Sequence, residues 1–536
     1  MFLNIKEPYI NYAEISKTKY FVDKSAVIDE IWDTADTCKY ICITRPRRFG
    51  KTVTANMLAA FFGKAYDSRE IFEGLKISES KIYKEHLNKH DIIYIDFSRI
   101  PNKCKTYDEY IERIYRGLKN DLLNEYPELH CEENAALGDI LSDAFEMNGN
   151  KKFIFILDEW DAVFHMNFLT ETDKNEYLLF IKSLLKDRAY VELAYMTGVL
   201  PIAKYSSGSE LNMFSEYSMT IKTKFSEYFG FTDGEVDGLY EKFLRFTKKP
   251  GFSREDIAEW YDGYHTAGGE RMYNPRSVVL ALRDNQLADY WTSSGPYDEI
   301  FYYIKNNIDA VRDDMALMVS GERIRVKIQN YAAAAMELKT REQIYSAMVV
   351  YGLLTYEAGK VFIPNKELMI KFSGMLQEHE SLGYVYKLAR ESDKMLDATL
   401  AGDTETMARI LQYAHNTETP IYQYNNETEL SAIVNLVYLS ARDRYRIERE
   451  DKAGKGFVDF IFYPINTMED CIILELKVNH TPEEAVEQIK EKQYALRFAG
   501  RMGEELKYTG RILAVGIGYD RATKEHRCRI EELIEN

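Results

Sequence analysis

Two carboxylates follow directly on a run of apolar residues in the N-terminal half of the chain. Residues 151–157 read Lys-Lys-Phe-Ile-Phe-Ile-Leu, and Asp158 and Glu159 come next. A continuous apolar run of this kind is typical of a strand that is buried on both faces. The pattern predicts a Walker B motif, in which Asp158 holds Mg²⁺ and Glu159 orients or deprotonates an attacking water. The structural alternative is an acidic pair that caps the helix after the strand.

A basic loop that could cradle phosphates lies between a strand and a helix within residues 39–62. The loop ends in Gly50, Lys51 and Thr52, and the residues after it have helical periodicity. A helix N-terminus in this position directs backbone amides at phosphates, with Lys51 on the β and γ oxygens and the Thr52 hydroxyl on Mg²⁺. The general pattern has glycine where this chain has Arg45, so we interpret the segment as a variant P-loop.

Two further strand candidates accompany these motifs, at residues 91–97 and 191–197. The second ends at Thr197, and this order suggests the ATPase branch with an inserted strand, in which such a residue senses the γ-phosphate. A threonine that bonds its own turn is the alternative. The predicted nucleotide site therefore comprises the catalytic Glu159 and the binding residues Arg47, Arg48, Phe49, Gly50, Lys51, Thr52, Val53, Asp158 and Thr197.

Three arginines, Arg45, Arg47 and Arg48, surround the P-loop lysine, and residues 44–52 contain no acid. They could stabilise the charge of a phosphoryl-transfer transition state. They could also contact a nucleic-acid backbone, or pair with surface carboxylates. All three roles stay open.

A second acidic pair lies on a predicted β-hairpin within residues 456–478. If the hairpin is centred on Thr467, Asp459 and Glu475 are direct cross-strand partners, and Lys477 shares their face. Like charges opposite each other in an apolar sheet need a compensating cation. We therefore predict Mg²⁺ or Mn²⁺ on Asp459 and Glu475, with Lys477 positioning a water or stabilising developing negative charge.

The composition is that of an ordinary globular protein, with 46% hydrophobic and 29% charged residues in a chain of 536. The 6 cysteines show no metal-binding spacing, which favours a reducing cytoplasm. No secretion signal and no apolar run of membrane-spanning length is present, so we expect neither export nor membrane insertion. A net charge of −17 argues against general affinity for nucleic acid, so any contact with DNA or RNA must be local.

Several segments resemble a family of bacterial AAA-ATPase-like proteins that carry a C-terminal PD-(D/E)XK nuclease domain. The similar segments are Y-F-V-D-K-S (20–25), R-P-R-R-F-G-K-T (45–52), L-D-E-W-D (157–161), Y-D-G-Y (261–264), Y-N-P-R-S (273–277), I-P-N-K-E (363–367) and A-V-E-Q-I-K-E-K-Q-Y (485–494). An arginine at position 45 is usual in that family's loop. The resemblance spans nearly the whole chain and implies ATP binding and a metal-dependent nuclease.

The resemblance also assigns roles to the two helices that flank the hairpin. It places Glu427, at the start of the preceding helix, beside the metal site, although a helix dipole also favours glutamate there. The following helix begins with a capping box at residues 481–484 and carries Gln488, which would support the metal site. Lys490 and Lys492 on this helix could meet a phosphate or remain solvated. The predicted nuclease residues are Glu427, Asp459, Glu475, Lys477 and Gln488.

The middle of the chain reads as helices followed by a small hairpin, as in a winged-helix unit. Asp262, Tyr264 and Asn274 could line a nucleotide-side pocket, although turn formation explains them equally well. We find no other constellation there that points to catalysis.

Together, these patterns predict an α/β fold class with three segments. They are an N-terminal P-loop NTPase (AAA-like) domain with a parallel sheet at 1–235, a helical lid and winged-helix-like linker at 236–400, and an α/β PD-(D/E)XK nuclease-like domain at 401–536. We expect ATP turnover coupled to metal-dependent cleavage of DNA or RNA. The alternative is a nucleotide-switched interaction or nucleic-acid-binding protein without cleavage, and a homo-oligomer is compatible with either.

Overall fold

A computed structural model of the chain forms two compact units. The first comprises Met1–Tyr303 and Arg325–Leu368, and the second comprises Ile304–Ile324 and Met369–Asn536. The residues described are 1–101, 104–132, 134–166, 168–202, 210–291, 308–328, 338, 340–416, 427–453, 456–498 and 508–533. The predicted domain boundaries after residues 235 and 400 stay a prediction.

A parallel sheet forms the centre of the first unit. Its strands are β1 (Tyr40–Thr44), β2 (Asp91–Asp96), β3 (Phe153–Asp158), β4 (Val191–Gly198) and β5 (Ser215–Ser218). Within the described residues their order is β2-β3-β4-β1-β5, and every neighbouring pair is parallel. Every residue of β1 and β3 is buried, as expected of strands covered on both faces. The strand β4 lies between the P-loop strand and the Walker B strand, so the predicted P-loop fold is confirmed.

Helices pack against this sheet through their apolar faces. In chain order they are α1 (Glu7–Ser16), α2 (Val27–Ala35), α3 (Lys51–Phe62), α4 (Arg69–Phe72), α5 (Lys81–His86), α6 (Tyr107–Glu125), α7 (Leu137–Met147) and α8 (Glu171–Leu185). Ile41 and Ile43 of β1 share one core with Leu58 and Phe61 of α3. The helix that follows the P-loop is therefore held by burial along its length, which fixes the direction of its N-terminus.

The first unit continues into a smaller helical subregion with its own aromatic core. Its elements are α9 (Asp233–Phe246), α10 (Arg254–Tyr261), β6 (Tyr264–His265), β7 (Arg271–Met272) and α11 (Pro275–Asp284). Thr232 and Ser253 form capping boxes at the starts of α9 and α10. Asn274 caps α11 with its side-chain oxygen, and Pro275 is the first helical residue. The first turn of α11 is thereby fixed in direction.

The predicted helices followed by a hairpin are present. The elements in this stretch are α12 (Ile308–Val319), β8 (Ile324–Arg325), α13 (Arg341–Tyr351), β9 (Thr355–Glu357) and β10 (Lys360–Phe362). β9 and β10 are antiparallel, with Tyr356 opposite Val361. Gly352 ends α13 in the left-handed conformation, with φ of 82°, as is common after a helix.

The second unit contains a mixed sheet with helices. Its helices, of which the first starts in the first unit, are α14 (Lys366–Glu378), α15 (Tyr384–Arg390), α16 (Ser392–Ala401), α17 (Thr404–Asn416), α18 (Glu427–Val437) and α19 (Pro482–Glu491). Its strands are β11 (Tyr445–Ala453), β12 (Gly456–Pro464), β13 (Cys471–Val478), β14 (Ile512–Asp520) and β15 (Glu525–Leu533). They are ordered by number, with β13 and β14 parallel and the other neighbours antiparallel. The predicted α/β character of the C-terminal region is confirmed.

Across the described part of the chain, every helix is too short or too polar to cross a membrane.

Candidate nucleotide and metal sites

The P-loop links β1 to α3 through backbone that favours glycine. Gly50 has φ of 92° and stands directly before the first residue of α3, Lys51. The Lys51 ammonium is 3% exposed and donates to the carbonyls of Arg45 and Pro46, both at 3.2 Å. Its Nζ lies 3.9 Å from Glu159 Oε1. The loop therefore folds around its own lysine.

Asp158 ends β3 as a buried acid with a vacant acceptor. Its Oδ2 accepts a hydrogen bond from the Tyr94 hydroxyl at 3.3 Å, while its Oδ1 has no partner among the described residues. Burial raises the pKa of Asp158 to about 7, and the charges of Glu159 and Asp96 add to this effect. The Thr52 hydroxyl and the Lys51 ammonium act in the opposite direction.

These features fit a divalent cation at the end of β3. A buried carboxyl oxygen without a donor, next to a hydroxyl, is the type of oxygen ligand that Mg²⁺ takes in phosphate sites. The raised pKa of Asp158 has the same origin, because a buried negative charge needs a positive partner. Asp158 and Thr52 are therefore the residues that could hold the metal.

Glu159 turns the chain sharply at the end of β3. It has φ of 51° in the left-handed region, which is uncommon for a glutamate. The Asp161 carboxylate accepts hydrogen bonds from the backbone amides of Val199, at 3.0 Å, and Leu200, at 2.7 Å. The chain after β4 is thus tied to the chain after β3, and the acidic pair is held at the carboxyl edge of the sheet.

A cavity of about 720 Å³ opens at this edge of the first unit. Residues that line it include the predicted site residues Arg47, Arg48, Phe49, Gly50, Lys51, Thr52, Val53, Asp158 and Glu159. Thr197 is buried opposite Ile43 in the sheet and is not among the lining residues, and its hydroxyl has no partner in the described part of the chain. The structure thus brings together the predicted nucleotide residues except Thr197, whose role stays a prediction.

Two residues outside the predicted site, Arg276 and Asp96, also line the cavity. Arg276 is in the first turn of α11, and its charge lowers the pKa of Arg48 together with burial, the larger cause. Asp96 ends β2 directly opposite Asp158 in the parallel register. The sequence pattern could have identified Asp96, because it is an acid at the end of an apolar strand. For Arg276, the only pattern in the sequence was its position directly after the Asn-Pro pair that starts a helix.

Arg45 does not have any of the three predicted roles, because it is buried. It is 1% exposed, and its guanidinium donates to the carbonyls of Thr44, at 2.8 Å, and Tyr217, at 2.7 Å. The guanidinium also lies over the Phe229 ring, 5.1 Å from its centre. Burial lowers the pKa of Arg45 to about 10. The residue that replaces the usual glycine joins the P-loop strand to β5, whereas Arg47 and Arg48 face the cavity.

Two residues of the P-loop pack tightly against later parts of the first unit. The Phe49 ring meets the Tyr264 ring edge to face, with 5.0 Å between their centres. A Cβ at Gly352 would lie 2.7 Å from the Cβ of Pro46, so this glycine leaves room for the loop. The conformation of the P-loop thus depends on side chains far away in the sequence.

The structure favours the turn and cap interpretation for the three polar residues of the middle segment. Asn274 Oδ1 accepts from the backbone amides of Arg276 and Ser277, at 3.0 and 3.2 Å. Asp262 is buried, and its carboxylate lies 3.1 Å from Arg271. Asp262, Tyr264 and Asn274 are not among the residues that line the cavity.

In the second unit, the β12–β13 hairpin has the predicted register. Phe460 lies opposite Leu474, and Phe462 opposite Ile472, which places residues 459 and 475 at the next position of the same ladder. The Asp459 amide donates to Glu475 Oε2 at 3.4 Å, and Asp459 Oδ2 accepts from the Leu476 amide at 2.7 Å. The two carboxylates therefore lie side by side.

Glu475 is the electrostatic centre of this cluster. It is 4% exposed, and its Oε1 accepts from Lys477 Nζ at 3.1 Å and from the Gln488 amide. Burial raises the pKa of Glu475 to about 7, and the Asp459 charge raises it further while Lys477 lowers it. Asp459, Glu475, Lys477 and Gln488 are thus in mutual reach. Two neighbouring carboxylates, one of them buried, fit a divalent cation.

The remaining residues of the predicted nuclease site differ in their placement. Lys490 pairs with Glu531 at 2.7 Å, which favours the solvated-helix interpretation, and Lys492 is exposed at the end of α19. Tyr494, which follows α19, is buried, and it interacts with Gln488 and with the charges of the two acids. Glu427 opens α18, but its side chain lies outside the described part of the chain.

No group of three or more His, Cys, Asp or Glu side chains that could hold a metal occurs among the described residues. The candidate metal ligands in each unit are therefore pairs of acids or an acid with a hydroxyl. All 6 cysteines are free thiols.

Two family models match the chain in the order that the resemblance predicts. Residues 10–207 match a model described as a predicted AAA-ATPase, and residues 426–516 match the PD-(D/E)XK nuclease superfamily. The two matches confirm the predicted architecture. The first covers the P-loop and the acidic end of β3, and the second covers α18, the hairpin and α19.

A curated relative and two solved structures are similar to parts of the chain. An uncharacterised protein in the vnfD 5′ region of Azotobacter chroococcum mcd 1 is 25% identical over 285 residues, which are 52% of this chain and 51% of that protein. The chain thus spans about half the length of this relative. A Walker-type ATPase of Pyrococcus abyssi matches at TM-score 0.36 and 12% identity, over 65% of this chain and 94% of that one. The ORC2 protein of Aeropyrum pernix matches at TM-score 0.30 and 12% identity, over 65% and 92%.

Proposed function

We propose that the first unit binds and hydrolyses ATP. The observation that supports this most directly is the meeting of Lys51, Asp158 and Glu159 at one cavity of about 720 Å³. Cavities of about 300–1,000 Å³ are typical of small-molecule sites. The Lys51 ammonium lies 3.9 Å from Glu159 Oε1 and also donates to two carbonyls of the loop.

Each residue has a defined part in this reaction. Lys51 exchanges its carbonyl contacts for the β and γ oxygens, because phosphate oxygens are stronger partners for an ammonium. Glu159 orients the attacking water at the edge of the sheet. Asp158 and Thr52 would hold Mg²⁺, which when bound neutralises phosphate charge and aligns the terminal phosphate. Asp158 must be ionised for this, and its raised pKa therefore makes metal binding depend on pH.

The rest of the cavity offers complementary surfaces for the other parts of a nucleotide. Arg47, Arg48 and Arg276 supply positive charge for phosphates. Apolar and aromatic side chains also line the cavity and suit a base, namely those of Tyr20, Phe21, Val22, Val279 and Leu280. Phosphate and base contacts thus come from the P-loop, the segment before α2 and α11.

ATP turnover in matched lysine variants tests this proposal. We expect Lys51→Ala and Asp158→Ala to lower kcat on the order of 10²-fold or more, because each removes charge stabilisation from the transition state. Lys64→Ala is the control, since Lys64 pairs with Asp91 and Glu125 outside the cavity. Turnover that Lys51→Ala leaves intact would contradict the assignment.

We further propose that the second unit cleaves phosphodiester bonds in DNA or RNA. The supporting observation is the cluster of Asp459, Glu475, Lys477 and Gln488 on and beside one hairpin. Asp459 and Glu475 would hold Mg²⁺ or Mn²⁺, which when bound lowers the pKa of its water and polarises the phosphate. Lys477 neutralises developing negative charge, and Gln488 fixes the Glu475 carboxylate by donating to it. Glu427 completes the proposed set.

Purified protein with Mg²⁺ or Mn²⁺ on single- and double-stranded DNA and RNA tests this activity, with and without ATP. We expect cleavage that Glu475→Ala abolishes and Lys490→Ala preserves, because Lys490 is occupied by Glu531. Cleavage by Glu475→Ala at the wild-type rate would refute the site. Cleavage that responds to ATP in the wild type but not in Lys51→Ala would support control by the first unit.

The alternative function is a nucleotide-switched protein that binds nucleic acid or another partner without cutting it. ATP turnover together with no cleavage of any substrate would favour this alternative. A charged cluster on an apolar hairpin speaks for catalysis, because a pure binding module does not need to bury an acid beside a second one. The 6 cysteines are free thiols, which agrees with the proposed cytoplasmic location because the cytoplasm is reducing.

A further inference from the structure

Three sequence segments that lie outside the P-loop and the acidic end of β3 meet in the first unit. The segments, which we call the junction, are residues 261–264, 273–277 and 363–367. The Asn365 side chain donates to the Asp262 carbonyl at 2.9 Å. Gly263 has φ of 100°, and a side chain there would collide with the Pro364 backbone. The junction is therefore closely packed and bonded, although its parts are distant in sequence.

A buried carboxylate joins two parts of the junction. Glu367, in the first turn of α14, is 2% exposed. Its Oε2 accepts from the Ser277 hydroxyl at 2.8 Å, and its Oε1 accepts from the Trp291 amide at 2.6 Å. Hydrogen bonds to a buried charged group are strong, because the alternative is an unsatisfied charge. Ser277 is thus held firmly by Glu367.

Ser277 is adjacent to the arginine that reaches the nucleotide cavity. Arg276, Val279 and Leu280 line the cavity, whereas Ser277 is buried on the other side of the same helix turn. The Asn274 cap fixes the backbone of this turn from its start. A shift of Ser277 would therefore move Arg276 as part of one rigid turn.

We propose that Glu367 is a positioning residue for ATP hydrolysis, which acts through Ser277 to hold Arg276 at the phosphate end of the cavity. The proposal rests on the proposed function of the first unit. Arg276 and Arg48 both line the cavity, so their guanidinium groups can act on one bound anion. Displacement of about 1 Å in such a group costs much of its effect on a transition state. The consequence is a loss in kcat that exceeds any loss in nucleotide affinity.

A double-mutant cycle between Ser277→Ala and Arg276→Ala tests this proposal. We expect Ser277→Ala to lower kcat about tenfold, in keeping with the loss of one charged hydrogen bond, and to leave ADP affinity within about twofold. In the Arg276→Ala background, Ser277→Ala should have no further effect on kcat, because its action runs through Arg276. A merely structural role would lower kcat equally in both backgrounds.

Two further variants keep the test decisive. Ser392→Ala is the matched control, since Ser392 is a buried serine in the second unit whose hydroxyl donates to the Ala389 carbonyl at 2.7 Å. It should leave kcat unchanged. Glu367→Gln replaces Ser277→Ala in the cycle if the serine variant does not fold, as judged by its melting temperature.

The outcomes separate this proposal from the one on which it rests. Unchanged kcat in Ser277→Ala, or equal losses with and without Arg276, overturns the positioning role while Lys51→Ala still abolishes turnover. Turnover that survives Lys51→Ala overturns the proposed ATPase site itself.

Discussion

Replacement of Glu475 by glutamine should stabilise the second unit at high pH. The Glu475 carboxyl has a pKa of about 7 in the folded protein against an ordinary value of 4.5. A difference of this size costs the folded state about 3 kcal/mol once the pH exceeds 7. Glutamine removes the charge but keeps an acceptor for Lys477 and Gln488, so most contacts of the cluster survive.

The sign of the effect follows from where the proton is bound. Between pH 4.5 and pH 7 the folded state keeps the Glu475 proton while the unfolded state releases it, so wild-type stability falls as the pH rises. The gap between Glu475→Gln and wild type should therefore be close to zero at pH 4.5 and full at pH 8. Allowing for relaxation around the buried charge, we expect about 1–3 kcal/mol, or roughly 2–10 °C in the melting temperature.

Calorimetric melting in EDTA across this pH range measures the gap. Addition of Mn²⁺ at 100 times its Kd should then stabilise only the wild type, by about 2.7 kcal/mol, and close or reverse the gap. Glu491→Gln, an exposed position at the end of α19, is the control and should change stability by less than about 0.5 kcal/mol at any pH. The reasoning is refuted if Glu475→Gln is no more stable than wild type at pH 8 without metal, or if the gap is the same at both ends of the range.

Two other predictions concern the first unit. Asp158→Asn should raise the metal-free melting temperature at pH 8 and have little effect near pH 4. The reason is that burial raises the Asp158 pKa from 3.8 to about 7, so the charged form costs the folded state up to about 4 kcal/mol. Calorimetry at both pH values checks this, and a lower melting temperature at pH 8 would contradict it. Gly198→Ala should destabilise the first unit by about 1–3 kcal/mol, since a methyl group there would overlap Trp160 and Asp161. Urea unfolding measures the change, and an unchanged free energy of unfolding would show that the turn after β3 can shift.

The local order of elements around both sites was predictable from the sequence. Strand, basic loop and helix follow one another around Gly50, and β3 ends at Asp158 as the apolar run predicts. The hairpin register was also predictable, because a short turn and the alternation of side chains leave few ways to pair Asp459 with the opposite strand. These features depend on residues close together in the chain.

Features that depend on distant residues were not predictable. None of the three roles that the sequence leaves open for Arg45 includes burial, because burial of a charge without partners is costly. In the structure, carbonyls of β1 and β5 accept hydrogen bonds from its guanidinium. Arg276 reaches the cavity only because α11 packs beside the P-loop, and Asp96 faces Asp158 only because β2 and β3 are neighbours. Such contacts require the order of strands and the packing of helices, neither of which a motif contains.

The close approach of Gly352 and Pro46 should couple these two positions in evolution. Any side chain at residue 352 would press on the loop that carries Lys51, and a larger residue at 46 would press on the end of α13. Among related chains, a change at either position should therefore be accompanied by a change at the other. Paired substitution of this kind would reveal the shape of the phosphate loop in sequences whose structures have not been determined.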